Sequence, residues 1–557
     1  MVIDSLARGP LATLVLLLLS LALYVPGMAR LPVTDRDEAR FAQATRQMVE
    51  TGDYVRIRFQ AEPRHKKPAG IHWLQAAAVR IAAGGDTGRI WAYRLPSALG
   101  ATAAVLALFA LARPVFGAGT ALVAALILGS ALLTGIEAHI AKTDAALLLA
   151  AVLAEGALMG LYHRAREGGP APPALAFLFW GALGAGVLIK GPVLPGIAAL
   201  TLAALWIADR RAGVCSGLFR ALRPVAGAPL FLAIAAPWFI AIAVSDGGFI
   251  ADAVRGDLLP KLLGGHESHG APPGFYLATS PLAFWPGVFL VPFGLIWAWR
   301  NRAEPGLRFC LAWLIPAWIA LELVPTKLVH YTLPLYPAAA LMAGQAVTRG
   351  HDWLAGALAR WPARLWLAVW GLAGAAVCAL IPVLGHFTGG GAGLAGWAAA
   401  GAAAAALAGG LAGALARRPL LAAALPLPGM VLFIGLAFQA ALPGLTQLWP
   451  SAAAAGLVAA HPPPPGTAVA AAGYHEPSLV FALGTATALT SPEGAAGRLA
   501  ARPGALALIE SRAEDKFLES SKRIGQRPMK LGSVGGFNLS KGRFVTLTLY
   551  RGEPAQP

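Results

Sequence analysis

The chain has 557 residues, of which 57% are hydrophobic and only 13% charged. Soluble globular domains carry nearer a quarter of charged residues, and apolar runs of about 18 residues recur here to about residue 443, so the composition excludes an ordinary soluble enzyme and predicts a polytopic, all-α membrane protein. The net charge of +17 does not imply nucleic acid, because no soluble basic face occurs before the C-terminal region.

The first predicted span covers residues 10–28. It is long for a signal-peptide core and no small-x-small cleavage site follows, so it reads as a retained span. A charged segment follows, from Thr34 to Trp73. Asp35 with Glu38 three residues later has the spacing of a capping box, which predicts a helix start. Phe41, Thr45 and Met48 share one face, so the helix is expected on the membrane surface. Gly52 ends it. Residues 71–84 form a run of about 14 residues with an internal Arg80, short for a crossing.

Parity decides that run. If it does not cross, later spans fall near 92–112, 118–136, 145–162, 174–190, 192–208, 224–244, 280–299, 307–324, 331–348, 364–385, 393–415 and 421–442, about thirteen in all. With the N-terminus inside, the cytoplasmic loops then hold Arg113, Arg164, Arg166, Arg210, Arg211, Arg220, Arg223, Arg300, Arg302, Arg308, Arg349, Arg360, Arg417 and Arg418, as the positive-inside rule requires. Residues 71–84 therefore read as a juxtamembrane helix. The same parity places Lys142-Thr143-Asp144, Lys190-Gly191-Pro192, the loop around His266 and His269, and Lys327 to Tyr331 at the outer face, with the 34–73 segment. Two regions are expected: a transmembrane domain over 1–450, with a periplasmic juxtamembrane segment at 29–84, and a small α/β periplasmic domain over 461–557. The stiff linker His461 to Gly466 joins them, and TAVAAAG, ALALIES and VTLTLY read as strands. Lys516, Lys522, Arg523, Arg527, Lys530, Lys541 and Arg543 give the second domain a basic surface, solvated or facing anionic headgroups. Cys215, Cys310 and Cys378 form no metal spacing, and two fall in predicted spans, so no disulfide framework is expected.

Several residues suit chemistry. An acidic pair in a first helical turn, Asp37 and Glu38, is more often a cap than a catalyst. With Asp35 available as cap, an ionised Asp37 can serve as a general base on an acceptor hydroxyl. Lys66 and Lys67 suit a phosphate better than routine topology. Lys142-Thr143-Asp144 interrupts an apolar region, as does Lys190, at a Gly-Pro break. A charge in such a place needs a partner, or marks a site. Lys327, His330 and Tyr331 offer three donors for phosphate or sugar oxygens. His266 and His269, with Glu267 between, form a weak metal pattern, so a divalent metal stays open.

DRDEARFAQATRQM, Gly52-Asp53, RHKKPAGIHWLQ, AKTDA, LIKGPV and KLVHYTLPLYP resemble, in order and spacing, the polyprenyl-phosphate-sugar-dependent glycosyltransferases of GT-C fold. The aminoarabinose lipid A transferases and the wider protein O-mannosyltransferase-like family are the nearest groups. The resemblance runs to about residue 345. It implies about thirteen spans, an undecaprenyl-phosphate-type sugar donor, an extracytoplasmic site and inversion at the sugar carbon. It places Asp37 at the family's acidic position, Lys67 at its phosphate-binding lysine, Asp144 at a second carboxylate, and Lys327, His330 and Tyr331 in the donor site. In the aminoarabinose transferases a metal-holding Glu precedes the lysine. Here that position is Lys66, which puts the metal, and aminoarabinose as the sugar, in doubt.

The expected function is an inner-membrane glycosyltransferase that moves a sugar from a polyprenyl monophosphate to a lipid or glycan acceptor such as lipid A or lipopolysaccharide. Catalysis falls to Asp37, Glu38 and Asp144, and phosphate binding to Lys66, Lys67, Lys190, Lys327, His330 and Tyr331. The alternatives are a transporter or flippase of the polyprenyl-linked sugar, a protein O-glycosyltransferase, and a non-catalytic scaffold of envelope assembly.

Overall fold

The computed structural model describes residue 7 and residues 9–210, 214–260 and 270–552. Among these, eight helices are long and apolar enough to cross a membrane, and a bent pair makes a possible ninth. The chain is a multi-pass membrane protein. The other four expected spans are the shorter helices Pro10–Tyr24, Val193–Asp209, Gly287–Arg300 and Tyr336–Thr348. Two of these are interrupted or preceded by 3-10 turns, at Gly287–Leu290 and Val329–Leu335, so length alone undercounts them.

In chain order, α1 (Pro10–Tyr24) leads to α2 (Asp37–Thr51) and α3 (Gly70–Ala82). Between α2 and α3, strands β1 (Arg58–Phe59) and β2 (Glu62–Pro63) make a small hairpin. Then come α4 (Ile90–Phe116), the bent pair α5 (Ala118–Ser130) and α6 (Leu132–Ala138), α7 (Asp144–Glu167), α8 (Pro173–Lys190) and α9 (Val193–Asp209). Gly52 ends α2 as expected, in the left-handed conformation, its N–H bonded to Met48 O. At 13 residues, α3 is about 20 Å long, short of a bilayer core.

The apolar face of α2 does not meet lipid. Phe41, Thr45 and Met48 are buried, and Thr45 Oγ1 lies 2.7 Å from both His72 Nδ1 and Gln75 Oε1 on α3. Burial lowers the His72 pKa to about 3, so the ring is neutral there. A second neighbour covers the opposite side. The helix Pro477–Leu483 of the C-terminal region docks on α2, with Phe481 edge-on to Tyr93 at 5.5 Å, Arg46 donating to Phe481 O and Gln43 to Thr485. The amphipathic pattern reads as lipid-facing, but the face is filled by α3, and the C-terminal helix packs on the side away from it.

Asp35 is not the cap. The residue before α2 is Arg36, at φ 63°, without a side-chain cap bond. Glu38 instead reaches back to Thr34, accepting from its N–H at 2.8 Å and its hydroxyl at 2.9 Å. Asp35 is bonded by Ser478 of the C-terminal region.

That region holds a five-stranded sheet. Its strands are β3 (Ala470–Ala472), β4 (Ala488–Thr490), β5 (Leu506–Glu510), β6 (Pro528–Asn538) and β7 (Arg543–Gly552), in the order β4-β3-β5-β7-β6. β3 is parallel to β4 and β5, and β7 is antiparallel to β5 and β6. Strands β3, β5 and β7 match the three expected runs. β4 is too short and β6 too rich in glycine to stand out.

Candidate active site

One cavity of about 1270 Å³ lies between the ends of the membrane helices and the C-terminal sheet domain. α2 supplies Asp37, the stretch before α3 supplies Lys66 and Lys67, the loop before α7 supplies Lys142, and the first residue of α7 is Asp144. Lys190, at the end of α8, and His330 and Tyr331 also line it. The sequence-predicted residues thus converge, with exceptions. Lys327 does not line the cavity; it is buried and donates to Val324 O at 2.6 Å. His266 and His269 lie outside the described residues.

The acidic pair splits. Asp37 is exposed to the cavity and has no hydrogen bond or ion pair among the described residues. Glu38 is buried and saturated. Arg94 Nε and Nη2 donate to it at 2.7 and 2.9 Å, Ala141 N donates at 2.9 Å, and Thr34 supplies the two contacts above. Burial pushes the Glu38 carboxyl up, but Arg94 and the two backbone donors outweigh it, so its pKa lies below the ordinary value. Arg94 also donates to the carbonyls of Met28, Leu31 and Pro32. Glu38 therefore braces α2 to α4 and to the loop of Lys142, its two oxygens taken by five donors.

On the floor, Lys190 pairs with Asp144. Lys142 lies 2.9 Å from Glu137 and 3.6 Å from Asp144. The His330 ring is 3.3 Å from Lys142 Nζ and edge-on to Tyr331, whose own ring is 5.0 Å from Lys190 Nζ. Burial opposes the Lys142 ammonium, but Glu137 and Asp144 push its pKa up, so it is charged. Burial holds His330 well below the usual histidine value; Asp144 pulls the other way, and Lys142, Lys190 and Lys67 add to the lowering. A neutral imidazole thus sits among two ammonium groups and two carboxylates. The bend of 62° between α5 and α6 delivers Glu137 to this floor. Glu137, Arg94 and the roof groups Tyr474, His475, Glu476 and Asn538 were not anticipated, and Lys541 and Arg543 were expected only as part of a basic domain surface. For Glu137 there was a signal: an acid in an apolar run, five residues before a lysine that itself interrupts apolar sequence.

Lys66 and Lys67 lie half-buried on the wall, Lys67 Nζ 3.2 Å from Lys66 O. Just before them, His65 is bonded at Nε2 by Asp246 at 2.7 Å and at Nδ1 by Asp252 at 2.9 Å. Gly70, at the start of α3, abuts α8. A Cβ there would lie 2.7 Å from Leu188 O, so only glycine lets the lysine segment approach Lys190. No group of three His, Cys, Asp or Glu that could hold a metal occurs among the described residues. Lys66 carries an ammonium where the family resemblance implies a ligating carboxylate, and an ammonium cannot ligate a cation. The described residues do not fit such a metal, and no step below uses one.

The roof comes from Tyr474, His475, Glu476, Asn538, Lys541 and Arg543. Asp35 lies at the seam beneath it. Burial raises the Asp35 pKa to about 6, against the bond from Ser478.

Residues 66–240 match the family described as dolichyl-phosphate-mannose-protein mannosyltransferase. The undecaprenyl phosphate-alpha-4-amino-4-deoxy-L-arabinose arabinosyl transferase of Aeromonas salmonicida is 27% identical over 337 residues, 59% of this chain and 58% of that one. Its counterpart in Pseudomonas aeruginosa is 27% identical over 318 residues, 56% and 55% of the two chains. The chain thus spans less than two thirds of the length of these curated relatives. In structure it is similar to ArnT from Cupriavidus metallidurans bound to undecaprenyl phosphate, with TM-score 0.71 and 21% identity over 96% of this chain and 97% of that one. It is also similar to the Archaeoglobus fulgidus oligosaccharyltransferase tethered to an acceptor peptide, with TM-score 0.52 and 13% identity over 97% and 74% of the chains. The fold is GT-C, as the sequence motifs implied, with a small C-terminal sheet domain.

Proposed function

We propose that this GT-C chain is a glycosyltransferase that moves a sugar from a polyprenyl monophosphate to a lipid A-type or other envelope acceptor, at the periplasmic face of the inner membrane. One observation carries the reading. A carboxylate exposed and unpaired among the described residues, Asp37, shares a cavity with Lys66, Lys67 and the Lys142–Asp144–Lys190–His330 floor. The arabinosyl transferases named above support the donor class, and arginine placement in the sequence supports the orientation.

The cavity is also lined by Leu147, Val187, Val193, Phe231, Phe239 and Phe249, an apolar side that suits an isoprenoid chain. In transfer, the acceptor oxygen attacks the anomeric carbon and the bond from that carbon to the phosphate oxygen breaks. The polyprenyl phosphate leaves with the electron pair, and Lys66 and Lys67 stabilise its growing charge. Asp37 takes the acceptor hydroxyl proton. Where the acceptor is itself a phosphate anion, no proton moves and Asp37 orients it. Asp144, held between Lys190 and Lys142, accepts hydrogen bonds from sugar hydroxyls. Attack opposite the leaving group inverts the anomeric centre.

The test is mass spectrometry of envelope lipids from a deletion strain beside its parent, paired with donor turnover by purified protein in detergent. Loss of one sugar mass from a lipid or lipopolysaccharide, with donor accumulating, is expected. Turnover without a sealed membrane separates a transferase from a flippase, and an unchanged glycan profile without turnover rejects the transferase.

A further inference from the structure

The hairpin that joins β6 to β7 has two unlike faces. Its register pairs Phe537 with Phe544 and Asn538 with Arg543. Neighbouring side chains in a strand point to opposite faces, so the two aromatics share one side and the polar pair the other. On the polar side, Asn538 Nδ2 donates to Glu476 at 2.9 Å and Arg543 to Glu510 at 2.8 Å. Asn538, Ser540, Lys541 and Arg543 line the cavity. On the apolar side, Phe537 and Phe544 rings are 5.1 Å apart and lie 5.1 and 5.8 Å from the ring of Phe387.

Phe387 ends the apolar helix Trp361–Phe387, long enough at 27 residues to span a bilayer. Its ring therefore marks the level where hydrocarbon gives way to headgroups. The patch is open: Phe387 and Phe544 are each 54% exposed and Leu539, at the tip, 50%. It continues into the exposed flank of the same helix and the next one, through Val383, Leu394 and Trp397. Lys541 stands exposed beside it. Exposed aromatic and aliphatic groups at the end of a span, with a cation alongside, fit a bilayer interface with phosphate headgroups. A soluble partner would not need the patch to run on into the lipid-facing helices.

We propose that the hairpin Asn538–Phe544 dips into the headgroup layer and forms the rim of the cavity, with Leu539, Phe544 and Phe387 in lipid and Lys541 at the anionic headgroup of a membrane-borne lipid. Gly542, at φ +65°, closes the tip, where Gly542 N donates to Asn538 O at 2.8 Å. Resting on the transferase reading, this makes the acceptor a lipid that reaches the cavity sideways past the hairpin.

The experiment uses the full chain in nanodiscs containing phosphatidylglycerol, with Cys215, Cys310 and Cys378 replaced by serine and a spin label on Leu539→Cys. Accessibility to oxygen and to a water-soluble relaxant gives the depth. The label at 539 is expected at headgroup depth, and one on Glu519→Cys, on the exposed helix Ser511–Arg523, in water. Equal access of the water-soluble relaxant to both overturns the proposal, whether or not the protein transfers a sugar. In the protein with its native cysteines, Leu539→Glu is expected to raise KM for a bilayer-borne acceptor roughly tenfold and leave the donor KM unchanged. No change in either KM overturns the sideways route.

Discussion

Two adjacent carboxylates should have opposite phenotypes. Glu38→Gln replaces one oxygen with an amide that points N–H at the donors it now faces. Arg94 then keeps a buried charge with no counter-ion, opposed only by neutral oxygens: the one left on the amide and the carbonyls of Met28, Leu31 and Pro32. Removing one partner of a buried, hydrogen-bonded pair costs about 3–5 kcal/mol. Arg94→Met should cost a similar amount, because Glu38 would stay buried with an unbalanced charge. The double variant should lose less than the sum, by about 2 kcal/mol, since the two defects share one interaction. Asp37→Asn is different. Its side chain is exposed and unpaired among the described residues, so stability should move by no more than about 0.5 kcal/mol, while transfer to a hydroxyl acceptor should fall at least ~100-fold. The assay is thermal unfolding in detergent by intrinsic fluorescence, with transfer followed by mass spectrometry. The Glu38 brace would be refuted by an unchanged midpoint in Glu38→Gln, or by strict additivity of the pair. Asp37 would lose its role if its variant lost activity only in step with its melting temperature.

Asp35 titrates near 4 when unfolded and at about 6 when folded. Its folded form resists ionisation, so it subtracts stability progressively as pH rises from about 4 to about 6. Asp35→Asn should therefore gain on the wild type across that window in melting temperature; parallel curves would show that the seam does not feel the charge. His65 works in the other direction. Burial lowers its pKa, but the Asp252 and Asp246 carboxylates raise it above the ordinary value. Its contribution is complete below about pH 6.5 and is lost as pH rises through the folded value. Hydrogen exchange of residues 246–254 should accelerate over that rise in the wild type, and be pH-independent and fast in His65→Phe, once corrected for intrinsic exchange. Protection that is the same in both proteins would remove His65 as the tie.

The chemistry-bearing residues were legible because each is anomalous where it stands: lysines in apolar sequence or beside a proline break, and a carboxylate, Asp144, that interrupts an apolar run. What the sequence hid was how they are divided. Asp37 and Glu38 have the same chemistry and adjacent positions, yet Arg94, 56 residues away, decides which one is free. Lys327 looks like a donor until its ammonium is found on the carbonyl three residues back. The helix face of Phe41, Thr45 and Met48 is amphipathic, as a surface helix would be, and its real cover is α3. The roof was invisible for the same reason. Tyr474, His475 and Asn538 are unremarkable in isolation, and only the docking of Pro477–Leu483 on α2 brings them over Asp37. The strands were found as short apolar and β-branched runs, but such runs carry no information on what the second domain rests against.

The floor of the cavity offers a sharper test of whether its charges serve a ligand or only the fold. Lys142 faces Glu137 and Asp144, and Lys190 pairs with Asp144, so each substitution here changes the cluster's charge by one. Asp144→Asn tips it positive by one unit and Lys142→Met tips it negative by one. A phosphate about 8 Å away, at an effective dielectric of about 20, feels either change as about 2 kcal/mol, close to 30-fold in affinity. If the donor phosphate binds near Lys66 and Lys67, the two variants must move its affinity in opposite directions: tighter for Asp144→Asn, weaker for Lys142→Met. Turnover should fall in both, because the sugar loses its acceptor of hydrogen bonds in one case and Asp144 loses its positioning in the other. A purely structural cluster predicts something else, namely weaker binding in both variants in proportion to lost stability. Titration of a non-hydrolysable polyprenyl phosphate separates the two, and the same sign in both variants would place the phosphate elsewhere.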